Sequence, residues 1–209
     1  MKQQKHYIIK DNQIIYDFML TMKCLSDCGR QKFGDHFRIM RISKLILVKL
    51  MSYAIRDEEN CKKYDIDPDK GILLVGTIGC GKTSLMQLFN LLTYDHRKYI
   101  VKPTRAIAGE YLQNGYETIL KYGNTEKIYC FDDLGIEQNM KHFGNESNVM
   151  AEILLSRYDL LRNRRIITHA TTNLNANELE KLYGNRIRSR LREMFNLITF
   201  PENAEDLRR

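Results

Sequence analysis

The 209-residue sequence predicts an α/β protein with a mainly parallel five-stranded sheet in a three-layer core, preceded by a small helical region. Three observations carry this. From Ile72 onward, short apolar runs alternate with amphipathic stretches, the pattern of strands that return through crossover helices. Before Pro68 that alternation is absent, and apolar residues recur at helical spacing instead. The turn Pro68-Asp69-Lys70-Gly71 separates the two textures. The chain therefore divides into a helical region, 1–66, and an α/β core, 67–209.

In the first region, Phe37, Met40, Leu47, Val48, Met51 and Ile55 predict a helix from Asp35 to Arg56. A shorter helix is expected around Asp17 to Leu25, broken by Cys28-Gly29-Arg30 and Gly34. The core opens with a strand, Ile72 to Val75, a glycine-rich loop and a helix to about Thr93. Tyr99 to Lys102 reads as the second strand, and Pro103-Thr104 marks the start of a helix reaching Tyr122. Lys127 to Asp132 is the third strand. Ile153, Leu154, Leu155, Tyr158 and Leu161 form the apolar side of a helix from Asn148 to Arg162. Ile166 to Thr172 is the fourth strand. Asn175 caps a short helix that Gly184 ends, Arg186 to Met194 forms another, and Asn196 to Phe200 is the last strand.

Composition bounds the function. Hydrophobic residues make up 43% and charged residues 28%, with three Pro and 12 Gly, which excludes disordered, collagen-like and disulfide-scaffold chains. The longest apolar runs are too short to cross a bilayer, and the N-terminus lacks a secretory apolar stretch, so a cytoplasmic protein is expected. The net charge of +7 is uneven. Residues 1–70 carry 14 basic and 10 acidic side chains, residues 71–150 carry 8 of each, and residues 151–209 carry 11 and 8. Basic ends suit a phosphate backbone or simply a solvated surface. The five cysteines are scattered, as in a reducing compartment; Cys24 and Cys28, with Cys61 or His36, could make a zinc-type site, but the paired CxxC spacing is absent.

The chemistry begins at GTIGCGKTS: Gly76, Thr77, Ile78, Gly79, Cys80, Gly81, Lys82, Thr83 and Ser84. The stretch satisfies G-x-x-x-x-G-K-[ST] completely and lies between an apolar strand and a helix, as its mechanism requires. Glycines let the backbone fold so that N–H groups point at phosphate oxygens, and the helix start adds its dipole. Lys82 supplies charge for the β- and γ-phosphates, and the Thr83 hydroxyl is placed to ligate Mg²⁺.

The strand Ile128 to Phe131 ends in Asp132-Asp133. An aspartate there suits the Mg²⁺ shell, assigned to Asp132, and its neighbour Asp133 suits polarisation of a water attacking the γ-phosphate. No NKxD motif follows, which favours ATP over GTP. Asn173, where the fourth strand ends, is a candidate to orient that water; His169 reads as a packing residue. Arg186, Arg188, Arg190 and Arg192 spread around one helix, so one is available as an arginine finger while others pair or face nucleic acid.

In this order, KGILLVGTIGCGKTS, FDDLG, ILLSRYDLL, ATTNL, YGNRIRSRLREM and the closing DLRR resemble AAA+ ATPases, and within them the DnaC/IstB group of helicase loaders and transposition helper ATPases. The resemblance spans about Lys70 to Arg209. It implies a P-loop NTPase core that hydrolyses ATP with Mg²⁺ at the interface of a homo-oligomer. Lys82 and Thr83 correspond to Walker A, Asp132 and Asp133 to Walker B, Asn173 to sensor 1, Arg190 to a finger acting on a neighbouring subunit's ATP, and Arg208 to the sensor 2 arginine. It further implies single-stranded DNA as a ligand, with Arg105 and Lys121 as candidate contacts on the helix 104–122. The helical lid that follows most AAA+ cores would be missing or truncated, and region 1–66 would bind a protein client, a replicative helicase or a transposase. A helicase loader is the leading expectation. A transposition helper, an ATP-gated switch with little turnover and a small-molecule kinase are the alternatives.

Overall fold

A computed structural model describes residues 7–10, 13–137, 140–142 and 145–207. In chain order these form β1 (Tyr7–Lys10), β2 (Gln13–Tyr16), α1 (Phe18–Phe33), α2 (Lys44–Ile55), α3 (Glu58–Lys63), β3 (Gly71–Val75), α4 (Lys82–Phe89), β4 (Tyr99–Pro103), α5 (Thr104–Asn114), α6 (Tyr116–Gly123), β5 (Ile128–Leu134), β6 (Met140–His142), β7 (Asn145–Ser147), α7 (Val149–Arg164), β8 (Thr168–Thr172), α8 (Ala176–Tyr183), α9 (Asn185–Met194) and β9 (Phe195–Thr199). The five expected strands make one sheet in the order β4-β5-β8-β3-β9, with every neighbouring pair parallel.

Both sheet faces are covered, and the pleat decides what each strand residue meets. Ile72, Leu74, Cys130 and Ile198 face a core built with α1, α2 and α4, whereas Leu73, Tyr129, Phe131 and Phe195 face one built with α5 to α9. Three layers result. The described helices before Pro68 share the first of these cores: Met22, Leu25, Leu47 and Leu50 are continuous with Leu85, Met86 and Phe89. The junction into β3 is fixed by Asn196, whose side chain accepts from Asp67 N–H at 2.7 Å and donates to the carbonyls of Asp67 and Gly71 at 2.8 and 3.1 Å.

Several boundaries differ from the sequence expectation, each for a packing reason. Helix α1 runs through Cys28-Gly29-Arg30 instead of breaking there. Gly29 is buried, and the Phe37 ring occupies the space where a Cβ on it would project, 2.3 Å away, so this glycine serves a close approach. The 35–56 helix begins only at Lys44. The preceding Phe37, Ile39 and Ile42 are all buried, and a 3₁₀ turn at Ile39–Arg41 flanked by extended residues delivers all three to the core. Helix α4 ends at Phe89, and the 104–122 helix is two helices broken at Gly115, whose φ of 54° and ψ of −135° no helix accommodates. The antiparallel hairpins β1–β2 and β6–β7 were not expected. No helix among the described residues is long and apolar enough to cross a membrane.

Candidate nucleotide site

The phosphate loop leaves the carboxyl end of β3 and enters α4. Gly79 (φ 85°) and Gly81 (φ 94°) take left-handed conformations that side chains resist, which is what turns the loop back on itself. Cys80 is buried beneath it. Lys82, although charged, is only 5% exposed, and its Nζ donates to the carbonyls of Gly76 and Thr77 at 2.8 and 2.9 Å and to Asn173 Oδ1 at 2.6 Å. The adjacency of β3 and β8 in the sheet makes this last contact, across 91 residues.

Thr83 Oγ1 donates to the Asp132 carboxylate, 2.9 Å from Oδ1 and 3.0 Å from Oδ2. Thr171 Oγ1 donates to the same carboxylate at 2.7 Å. Burial pushes the Asp132 carboxyl up, and these two hydroxyls work against it. Thr83 and Asp132 present the hard oxygen donors that suit Mg²⁺, an ion that takes few protein ligands and completes its shell with phosphate and water. Among the described residues no cluster of three His, Cys, Asp or Glu forms a metal site, so Cys24, Cys28, Cys61 and His36 do not assemble into one.

Asp133 sits on a β-bulge. Phe131 pairs with Ala170 and Leu134 with Thr172, so β5 carries one residue more than β8 over that interval, and Asp133 takes a φ of 57°. Bulges re-aim side chains; here the neighbouring aspartates face different surroundings. Asp132 turns toward Thr83 and Thr171, and Asp133 lines the open cavity. Its backbone is held on both sides: N–H donates to Thr171 Oγ1 at 2.9 Å, and the carbonyl accepts from Thr104 Oγ1 at 2.8 Å.

That cavity, about 330 Å³, has a mixed lining. Gly81, Lys82, Thr83, Asp133 and Asn173 supply polar groups. Phe33, Phe37, Ile78, Ile136 and Leu207, with His36, supply apolar and aromatic surface. The apolar part of the lining was not legible in the sequence. Phe37 read there as a core position of the 35–56 helix, and only the packing of α1 on α4 brings Phe33, and Phe37 just after it, beside the loop. Residues 201–207 return to the same place: Leu207 N–H donates to Gly79 O at 3.0 Å, and its side chain lies near Gly81.

Of the other described candidates, Arg190, Arg105 and Lys121 do not line the cavity. Arg190 on α9 stacks its guanidinium 5.0 Å from the Tyr158 ring centroid. Arg188 is taken up by an ion pair with Glu180, while Arg186 and Arg192 are exposed. Arg105 is exposed in the first turn of α5. Lys121 is ion-paired at 2.7 Å with Glu110, which also binds Lys102 at 2.7 Å and the Tyr122 hydroxyl at 2.9 Å. Burial pushes the Glu110 carboxyl up, but the Lys102, Lys121 and Tyr122 hydrogen bonds outweigh it and bring its pKa to about 2. Arg208 lies outside the described residues. His169 is buried between Tyr53 and Tyr99, and its Nδ1 accepts from Ile72 N–H at 3.1 Å, a packing role.

No protein-family model matches the sequence, and no curated protein matches it either. Solved structures do. The DnaC helicase loader gives a TM-score of 0.54 at 21% identity, covering 80% of this chain and 95% of that one. A candidate primosome component from Streptococcus pyogenes serotype M3 gives 0.55 at 18% identity, covering 81% and 88%. DnaI gives 0.50 at 24% identity, covering 71% and 83%. The chain therefore has a P-loop NTPase fold of the kind seen in DnaC and DnaI, and the resemblance drawn from its motifs holds at the level of the fold.

Proposed function

We propose that this protein binds and hydrolyses ATP with Mg²⁺, and acts as a DnaC-like helicase loader. One observation carries the nucleotide reading: Lys82, Thr83, Asp133 and Asn173 line one cavity together with apolar and aromatic side chains, and Thr83 is hydrogen-bonded to Asp132. That mixed lining fits a triphosphate joined to a flat base. The Lys82 ammonium and the amides opening α4 would hold the β- and γ-phosphates, and Phe33, Phe37 and Leu207 would pack on the base. Bound between Thr83 and Asp132, Mg²⁺ would neutralise phosphate charge. Asp133 would take a proton from the attacking water, with Asn173 orienting that water from beside Lys82.

The loader assignment is supported by the motif order and by the DnaC and DnaI likeness in fold. In this reading Arg190 serves the site of a neighbouring copy in an ATP-dependent homo-oligomer, Arg208 is a second cation for nucleotide, and Arg105 with Lys121 contacts single-stranded DNA. Region 1–66 engages the helicase client. A transposition helper would use the same ATPase chemistry with a transposase as client. Titration with a fluorescent ATP analogue, followed by phosphate release with and without single-stranded DNA, tests the enzymatic reading. Binding that disappears in Lys82→Ala and turnover above background are expected. Binding without turnover would leave an ATP-gated switch, and absence of binding by the parent protein would refute the site. Capture of a replicative helicase by the full chain, rather than a transposase, tests the client.

A further inference from the structure

We propose that Glu137 and Tyr183 form a positioning bridge that couples the Asp133 turn to α9, so that nucleotide at the phosphate loop is felt at the helix carrying Arg190. The inference rests on the nucleotide-site reading above and adds two residues that lie outside the cavity.

Glu137 is 7% exposed, and so is Tyr183. The Tyr183 hydroxyl donates to Glu137 Oε1, and the Gly135 N–H donates to Glu137 Oε2 at 2.9 Å. Burial and the Glu137 charge both raise the Tyr183 phenol above its ordinary pKa, so it stays protonated and donates. A buried carboxylate is a poor choice for filling space, since an apolar residue of similar size stabilises as well or better. What this carboxylate does is bind two segments at once.

The first segment is the turn that presents Asp133. Ile136 N–H closes it on the Asp133 carbonyl at 3.2 Å, and Gly135 takes a φ of 97°. Thr171 of β8 and Thr104 at the start of α5 hold the Asp133 backbone, and Glu137 holds the turn that follows through Gly135. The second segment is the corner between two helices. Tyr183 is the last residue of α8, and α9 starts at Asn185 after a single glycine. The Arg188–Glu180 ion pair then ties α9 back to α8. Side-chain packing follows the same route: a Cβ on Gly135 would meet Leu174 at 2.4 Å and Leu182 at 3.4 Å, so the turn lies directly on the segment after Asn173 and on α8. A shift of the Asp133 turn therefore moves Tyr183, and α9 with it.

Hydrogen exchange of the full chain, with and without Mg²⁺ and a non-hydrolysable ATP analogue, tests the bridge. In the parent the analogue should slow exchange in peptides covering 133–137 and also in those covering 185–194. Tyr183→Phe should bind the analogue with affinity within about threefold of the parent and protect 133–137, yet lose the response at 185–194. Its turnover should fall about tenfold, the scale of one lost hydrogen bond to a charged group. Glu137→Gln, which keeps the shape of the side chain, should behave in the same way and serves if Tyr183→Phe folds poorly. A purely structural pair would instead lower the melting temperature and leave the response at 185–194 in place, which overturns the proposal. Binding by the parent without any response at 185–194 overturns it equally. Failure of the parent to bind nucleotide is a separate result, which refutes the site and the bridge together.

Discussion

Asn173 Oδ1 accepts a hydrogen bond from Lys82 Nζ at 2.6 Å, so the residue just after β8 and the lysine opening α4 form one unit in the lining of the cavity. The contact places an amide beside the cation that would meet the γ-phosphate. Asn173→Ala should therefore reduce turnover by about 10- to 100-fold, in line with loss of a positioned polar group in a transition state. Nucleotide affinity should stay within a few-fold of the parent. Equilibrium binding of a fluorescent ATP analogue alongside single-turnover hydrolysis separates the two quantities, and an equal loss in both would remove Asn173 from the catalytic step.

Asp132 is held by Thr83 and Thr171 at hydrogen-bond distance. If the pair Thr83–Asp132 accepts Mg²⁺, chelation by EDTA should weaken ATP analogue binding in the parent. Asp132→Asn should show weaker binding in Mg²⁺ and little further response to EDTA. The comparison is a four-way titration, and an EDTA effect of equal size in the variant would place the ion elsewhere.

Arg190 lies outside the cavity, stacked on Tyr158. Arg190→Ala should bind nucleotide nearly as well as the parent and lose stimulated hydrolysis. Lys82→Ala should lose binding. Mixing the two proteins should restore part of the activity, because each supplies a neighbour with what the other lacks. Phosphate release from mixtures over a range of ratios reads this directly, and inactive mixtures would rule out a shared interface.

His169 is fully enclosed, and burial first, then the nearby charges of Arg97 and Arg157, lowers its pKa to about 3. In the unfolded chain an ordinary value of about 6.5 applies. Above that pH neither state holds the proton and His169 adds no pH dependence. Below it the unfolded chain binds a proton that the native state refuses, so stability is lost as pH falls from about 6.5 toward 3, at up to ~1.4 kcal/mol per pH unit. Urea melts at pH 7 and pH 5 should show a steeper loss for the parent than for His169→Asn, whose amide oxygen is still able to accept from Ile72 N–H.

Arg157 is completely buried, donating to Thr168 Oγ1 and Thr125 O at 2.7 Å and to Ile167 O at 2.9 Å; burial lowers its pKa to about 10. It ties α7 to the start of β8 and to the loop before β5. Arg157→Ala strands three acceptors and should cost about 3–5 kcal/mol in unfolding free energy. Arg157→Lys should recover only part of that, because one ammonium does not span three acceptors placed for a guanidinium fork.

Local signals made much of this protein readable in advance. A strand covered on both faces reads as an apolar run, which is why Ile72–Val75 and Ile128–Phe131 stood out. The phosphate loop is likewise local, since its glycines, Lys82 and Thr83 act within nine consecutive residues. Asp132, Asp133 and Asn173 became candidates because strand ends beside such a loop are where chemistry belongs. What the sequence did not show depends on strand order and layer packing, which join residues far apart in the chain. Thr171 reaches Asp132 across 39 residues and Tyr183 reaches Glu137 across 46, because β8 lies beside β5 and α8 folds over the turn that follows it. Phe33, the last residue of α1, and Phe37 just after it look like ordinary core positions until α1 packs on α4 and both line the cavity. The chain's own periodicity thus set most of the elements and the phosphate-loop motif, whereas the different placement of two adjacent aspartates came from a bulge that exists only once β5 and β8 are paired.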